Sequence, residues 1–550
     1  MKKQIAELVK MAISSLQAEN IFPDFAVAEI SVDYPKDEKF GDYATNVALV
    51  LAKKVGKSPM EVAELLVQRL SLSIVKGISE AEPRGDAFQK IEIVAPGYIN
   101  FYLSEKYLQD KVAEINVEKE NFGKSEIGRD IKINNEFISA NPTGPLTVGN
   151  GRGGFCGDAI SRVLRKSGFD VTSEYYVNDA GGQVMKLGHS VLKDGEAAYV
   201  GDYIDELNKK YGSMTDVRVI GQLAAKEVLD DIIKKTVAEK MKISFDVWMS
   251  EQYLKDEKYD ERAIKMLGER GFTYDSEGAT WLKTTEFGDD KDRVLIKSDG
   301  KNAYLAGDCG YMLNKIERGF TRMIIGLGAD HHGYVARLRA VAKALGFDGD
   351  FRFVISQLVR VTKDGKEARM SKRAGNVVEV GDLIDRVGHD VTRFFFLMYS
   401  PDTHMNFDLG LAEEKSQKNP VFYVQYAHAR ICSILRKAEE KFGDSVSLDQ
   451  NDQKTPSLEM LVHEKELSLI KELNKFPELV EELAESYEVH KLPYYAIKLA
   501  DKFHSFYNAC KVIDEENLGL TKARLKLITA VRIVLAETLE LVGVSAPEKM

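Results

Sequence analysis

Residues 136–183 read EFISANPTGPLTVGNGRGGFCGDAISRVLRKSGFDVTSEYYVNDAGGQ. Polar and apolar residues alternate over 131–138, which predicts a strand entering this stretch. A loop with two prolines and two glycines follows. Phe155, Ala159 and Val163 then recur every four residues, the spacing of one helical face, and Gly168 supplies a stop. Residues 171–177 read as a second strand, leading into another polar, Gly-rich loop. Strand, Gly loop, helix and strand make a βαβ unit, and a doubly wound sheet binds nucleotides at such a loop. Thr147, Gly149 and Asn150 stand at the expected helix start, where free N–H groups and the helix dipole favour phosphate. Gly149 lets a base or ribose come close to the backbone.

The chain has 550 residues, enough for three or four domains, and a net charge of −10. That charge argues against nonspecific polyanion binding and leaves a local basic groove open. No apolar run is long enough to span a membrane. The first twenty residues carry apolar positions at helical spacing, the pattern of an amphipathic helix and not of a signal peptide. The four cysteines, Cys156, Cys309, Cys432 and Cys510, show no paired ligand spacing. Neither structural zinc nor a disulfide framework is expected, and a reducing cytoplasm fits.

A second motif lies far downstream, Arg369-Met370-Ser371-Lys372-Arg373, which could bring a mobile cation to a triphosphate. Together with the loop at 147–150 it resembles the two signatures of class I aminoacyl-tRNA synthetases, His-x-Gly-His and Lys-Met-Ser-Lys-Ser. The surrounding SANPTGPL and EYYVNDAGGQ, with FGDYATNVAL near the N-terminus and SAPEKM at the end, resemble arginyl-tRNA synthetase of the bacterial type over essentially the whole chain. The signature departs from the family in one respect: Thr147 and Asn150 replace its two histidines. Both retain hydrogen-bonding capacity.

The resemblance implies an α/β fold: a doubly wound, Rossmann-like parallel-sheet catalytic domain with an α/β N-terminal domain and an all-α C-terminal bundle. The expected bounds are 1–115, 116–400 with an insertion at about 190–290, and 401–550. It implies a ligase that joins L-arginine to the 3′ end of tRNA(Arg) using ATP with Mg²⁺, acting as a cytoplasmic monomer. Another class I synthetase, or a non-catalytic tRNA-binding relative, are the alternatives. Thr147, Asn150 and Lys372 would be catalytic, with Gly149, Met370 and Ser371 also binding ATP. Glu136, Ser139, Asn141, Tyr304, Asp308, Asp330 and His331 would bind arginine, acidic groups suiting a guanidinium fork. The adjacent His331 and His332 leave metal ligation open. Tyr98 and Asn100 would contact the tRNA elbow. Tyr423, Tyr426, Phe506, Tyr507 and Met550 would meet the anticodon, although aromatic helix positions are also ordinary core residues.

Overall fold

The computed structural model describes residues 1–76, 87–329, 333–367, 378–443 and 458–550. The sequence unit 136–183 takes the expected form: strand Lys132–Glu136, helix Val148–Lys166, strand Asp170–Val177. These strands belong to a parallel sheet of five among the described residues. Its spatial order is Asp350–Ser356, Arg322–Gly328, Lys132–Glu136, Asp170–Val177, Val247–Ser250. Numbered along the chain and read from the other edge, this order is 3-2-1-4-5, that of a Rossmann half-sheet and its return. The switch point falls between Lys132–Glu136 and Arg322–Gly328, where ligands bind such sheets.

Each face of the sheet is covered by helices whose apolar spacing demands it. The signature helix buries Phe155, Ala159 and Val163 on the face of Ile133, Phe137 and Ile324. Gly157 lies so close to the sheet that a β-carbon there would stand 2.2 Å from the Phe137 ring. On the other face, helices Tyr304–Glu317 and Tyr334–Ala344 pack Cys309, Met312, Leu313 and Val341 onto Met323.

Two details differ from the sequence expectation. The stretch 190–290, read as an insertion, includes Val247–Ser250, which is the edge strand of the sheet and parallel to Glu174–Val177. It is only four residues long, too short to show alternation. The sequence of 293–313 reads as strand, turn, strand and helix, but no second strand intervenes and the helix begins at Tyr304. The preceding strand Arg293–Ile296 pairs with Ala279–Leu282 in a separate antiparallel sheet.

The N-terminal region is α/β. Helix Lys2–Ala18 buries Ile5, Val9, Ala12 and Leu16, and Ser58 and Glu61 form a reciprocal cap before Pro59–Lys76. Phe88–Val94 and Tyr98–Leu103 form a hairpin, with Tyr43–Thr45 added at its edge. Beyond residue 413 the described chain is helical: Pro420–Phe442, Glu464–Asn474, Phe476–Ser486, Lys491–Ala509 and Leu518–Val542. The polar, Lys-rich break at 449–456, which in the sequence joins two of these helices, lies outside the described residues. The bundle grips both other regions. Glu478 accepts hydrogen bonds from the Tyr34 and Tyr43 hydroxyls, and Glu540 pairs with Arg162 of the signature helix at 2.5 Å. No helix among the described residues is long and apolar enough to cross a membrane.

Candidate active site

The signature loop ends in a capping box. Thr147 Oγ1 accepts from the Asn150 amide at 3.3 Å, and Asn150 Oδ1 accepts from the Thr147 amide and hydroxyl, both at 2.9 Å. This is the local reason the helix starts here: two orphan N–H groups of its first turn are satisfied by each other's residues. The two residues that stand in for histidines thus hold one another, and the Asn150 side-chain N–H₂ is left to donate elsewhere. A β-carbon at Gly149 would meet only Thr147 Oγ1 within 4 Å, so the backbone there is open to a ligand.

Downstream chain is tied to this turn. The Val148 amide donates to Val378 O at 3.0 Å, and the Val380 amide donates to Leu146 O at 2.9 Å. Buried Arg152 donates to the carbonyls of Gln357, Thr403 and Ser400 at 3.0, 2.8 and 2.7 Å. Described chain on the C-terminal side of the second motif therefore borders the signature loop. Met370, Ser371 and Lys372 themselves lie outside the described residues, as do Asp330 and His331.

Beside the switch point, helix Tyr304–Glu317 turns Asp308, Tyr311 and Lys315 to the sheet, at the i, i+3, i+7 spacing of one face. Two carboxylates there are paired with cations. Lys315 Nζ lies 2.5 Å from Glu136 Oε2, and Ser139 Oγ donates to Glu136 Oε1 at 3.1 Å. Glu174 accepts from the Tyr311 hydroxyl at 2.6 Å and pairs with Arg318 at 2.5 Å. Burial opposes ionisation of Glu174, but Lys315, Arg318 and Tyr311 outweigh it and hold its carboxyl below the usual range. Glu136, expected to meet substrate, is thus paired from within the chain.

Asp308 is the opposite case. Its Oδ2 is buried and makes no hydrogen bond among the described residues. Burial raises its carboxyl to about 7; Arg337 opposes the rise, and Glu251 and Glu136 add to it. Tyr176, stacked on Tyr311 at 4.7 Å between ring centres, stands among the same acids. Burial first, then Glu251, Asp308, Glu136 and Asp179, push its phenol well above the usual value. Arg337 lies over the Tyr334 ring at 4.4 Å, with its Nε buried and unpaired. The ensemble is an acidic recess that includes a neutral phenol, suited to a planar cation. Tyr304, at the start of the same helix as Asp308, is 85% exposed, and Asn141 is exposed on the loop after Lys132–Glu136. Sequence reasoning did not find Glu251, Tyr176, Arg337 or Lys315. Glu251 lay in the stretch read as insertion. Tyr176 sits inside EYYVNDAGGQ, and its strand alternation relative to Glu174 could have flagged it.

The remaining assigned residues divide by exposure. Tyr98 is exposed at the hairpin, whereas Asn100, on the same strand face, is 2% exposed with an unpaired Oδ1. Tyr423 donates to Asp501 at 2.6 Å, and Arg430 lies over the Tyr507 and Tyr426 rings at 4.3 and 5.6 Å. Phe506 is 0% exposed and belongs to the core with Phe503 and Cys510. It cannot stack on a base, because its helix face is the one packed inward. Met550 is exposed, and the segment before it is fastened by Gln425 and His428 to the carbonyls of Ser545 and Pro547.

A Rossmann sheet with a capped, glycine-opened loop at its switch point and an acidic recess beside it is the catalytic fold of a class I aminoacyl-tRNA synthetase. The model of the "tRNA synthetases class I (R), catalytic domain" matches residues 221–394. Residues 3–103 match the "Arginyl tRNA synthetase N terminal domain", and residues 424–550 match the "DALR anticodon binding domain". An arginine–tRNA ligase of Bacillus pumilus is 42% identical over 575 residues, covering 99% of this chain and 100% of its own. One from Listeria monocytogenes is 43% identical over 546 residues, covering 95% of each chain. The arginyl-tRNA synthetase structure of Thermus thermophilus has the same fold, with a TM-score of 0.76 at 21% identity and full coverage of both chains. The chain belongs to the arginine–tRNA ligase (arginyl-tRNA synthetase) family.

Proposed function

We propose that this protein activates L-arginine with ATP and transfers it to tRNA(Arg). In the first step an arginine carboxylate oxygen attacks the α-phosphorus of ATP and pyrophosphate leaves. In the second, a hydroxyl of the tRNA 3′-terminal ribose attacks the acyl carbon and AMP leaves. The substrate supplies its own nucleophile, so the protein's task is orientation and charge stabilisation. The observation that carries the reading is Asp308, a carboxylate with one oxygen shut from solvent and without a hydrogen bond among the described residues. Such a group calls for a cation, and the fork of a guanidinium matches a carboxylate.

Tyr304, Ser139 and Asn141 line the approach, and Thr147, Gly149 and Asn150 bind ATP phosphates through backbone and amide donors. Lys372, with Met370 and Ser371, meets the triphosphate on sequence grounds, and Asp330 and His331 complete the substrate contacts. Mg²⁺ enters with ATP as part of the substrate. The N-terminal region to about residue 115 holds the tRNA elbow through Tyr98. The bundle from about 401 holds the anticodon through Tyr423, Tyr426, Tyr507 and Met550. The protein acts as a cytoplasmic monomer. Arginine-dependent exchange of pyrophosphate into ATP with tRNA(Arg) present tests the reading, and its absence at saturating substrates would refute it. Lys372→Ala is expected to lower kcat by about 10²–10³ with little change in the arginine KM.

A further inference from the structure

Lys315 is fully buried, yet its ammonium does not reach the recess; it ends on Glu136. Two routes lead from that ammonium to one residue. The first runs through Glu136 to Ser139 Oγ at 3.1 Å, which in turn accepts from the Tyr176 amide at 3.1 Å. Ile138 and Ser139 both have positive φ, 65° and 41°, so this corner is a backbone form that needs such support. The second route is direct. Lys315 Nζ sits 4.3 Å over the Tyr311 ring, and Tyr311 stacks on Tyr176.

We propose that Lys315 is the positioning residue of the arginine pocket: it withdraws Glu136 from the carboxylates open to a guanidinium and, through Ser139 and Tyr311, fixes Tyr176 against Asp308 and Glu251. The inference rests on the arginine reading given above. It makes the pocket a counting device. Glu136 is cancelled by Lys315 and Glu174 by Arg318. Glu251 pairs with Lys255 at 2.6 Å, so Asp308 remains, with Arg337 bearing on it from the helix Tyr334–Ala344. The groups bearing on Asp308 are thus Arg337, Glu251, Glu136 and the phenols of Tyr176 and Tyr334.

Removing the Lys315 charge leaves Glu136 buried and uncancelled, which disfavours a second negative charge on Asp308. The ionised Asp308 is the form that meets the guanidinium, so arginine binding should weaken most at low pH. A displacement of one pH unit in its titration changes the ionised fraction about tenfold on the acid side. The test measures the arginine KM of full-length enzyme at pH 6.5, 7.5 and 8.5, with ATP and tRNA saturating. Lys315→Met and Lys315→Gln should raise it about tenfold or more at pH 6.5 and less than about threefold at pH 8.5. kcat and the ATP KM should stay within about twofold. Lys315→Arg should keep the wild-type profile. The double variant Glu136→Gln/Lys315→Met, which removes both charges, should return to it. A KM–pH curve parallel to wild type in either neutral variant that folds, or a double variant retaining the steepened curve, would overturn the proposal. Failure of the wild-type enzyme to charge arginine would instead sink the arginine reading.

Discussion

Helix Tyr304–Glu317 and the residue after it show two ways of holding charge. At the C-terminal end, Lys315 and Arg318 meet Glu136 and Glu174 at 2.5 Å each, and the Tyr311 hydroxyl fills a further acceptor site on Glu174. Two turns earlier, Asp308 has a buried oxygen with no hydrogen-bond partner among the described residues. The first end is what folding alone would select, because a buried ion that lacks its partner costs several kcal/mol. The second end is what folding alone would remove. An unmatched acid retained beside matched ones marks the place where a ligand completes the structure. By that criterion Asp308 belongs to the substrate and Glu136 to the scaffold, although the sequence offers both as acids near the same loop.

The largest expected effect separates the two directly. Asp308→Asn keeps shape but removes the charge, leaving the bound guanidinium without its buried partner. A loss of about 3–5 kcal/mol converts to an arginine KM raised by about two orders of magnitude or more. ATP binding should be little changed. Glu136→Gln should behave in reverse. It strands Lys315, so the folded protein should lose about 3–5 kcal/mol, seen in denaturant or thermal unfolding, while the arginine KM moves by less than about tenfold. If Asp308→Asn shifts KM by under threefold, or if Glu136→Gln shifts it as much as Asp308→Asn, the comparison fails.

Thr147 and Asn150 stand between these cases. Their oxygens are matched by one another, yet the Asn150 amide donors point away from that pairing. Asn150→Ala should therefore cost both ways: about 1 kcal/mol of helix capping and about tenfold in the activation rate if the amide meets ATP. Neutral donors also leave the pH–rate profile without a signature imidazole. A variant with the stability loss alone would assign the pair to the scaffold, with Glu136.

Local signals were legible and long-range pairings were not. Loop, helix and strand of 136–183 follow from spacing and caps, as does the placement of Tyr304 and Asp308 four residues apart. The Glu136–Lys315 pair joins residues 179 positions apart, and nothing local in either announces the other. Glu251 was hidden because it opens the helix Glu251–Asp256 directly after the strand Val247–Ser250, and that strand is too short for a period to show. Phe506 was misplaced for a related reason. In HSFYNACKV the aromatics adjoin, and only the inward set Phe503, Phe506, Cys510, seen whole in the structure, tells which ring is core and leaves Tyr507 outside.

The smallest effect is also the one that reads the unmatched acid without any substrate. Asp308 has its folded titration raised to about 7, above the ordinary carboxylate value near 4. An acid raised in this way binds its proton more tightly folded than unfolded. Folding is therefore penalised as pH climbs from about 4 to 7, and the penalty is complete above 7. Three pH units correspond to an upper bound of about 4 kcal/mol, reduced here because Asp308 is only partly enclosed and protein and solvent relax around it. Asp308→Asn removes the penalty. The ligand-free variant should melt a few degrees above wild type at pH 8, with the gap closing as pH falls through 7 toward 5. Glu136→Gln should show no such crossing, since it loses a matched pair and melts lower throughout. Saturating arginine should then raise the wild-type melting temperature at pH 8 and leave that of Asp308→Asn nearly unchanged. Differential scanning fluorimetry at pH 5, 6.5 and 8, with and without arginine, reads all of these. A ligand-free Asp308→Asn protein that melts below wild type at pH 8 would mean that the carboxylate has a partner within the fold, and the distinction between the two ends of the helix would be lost.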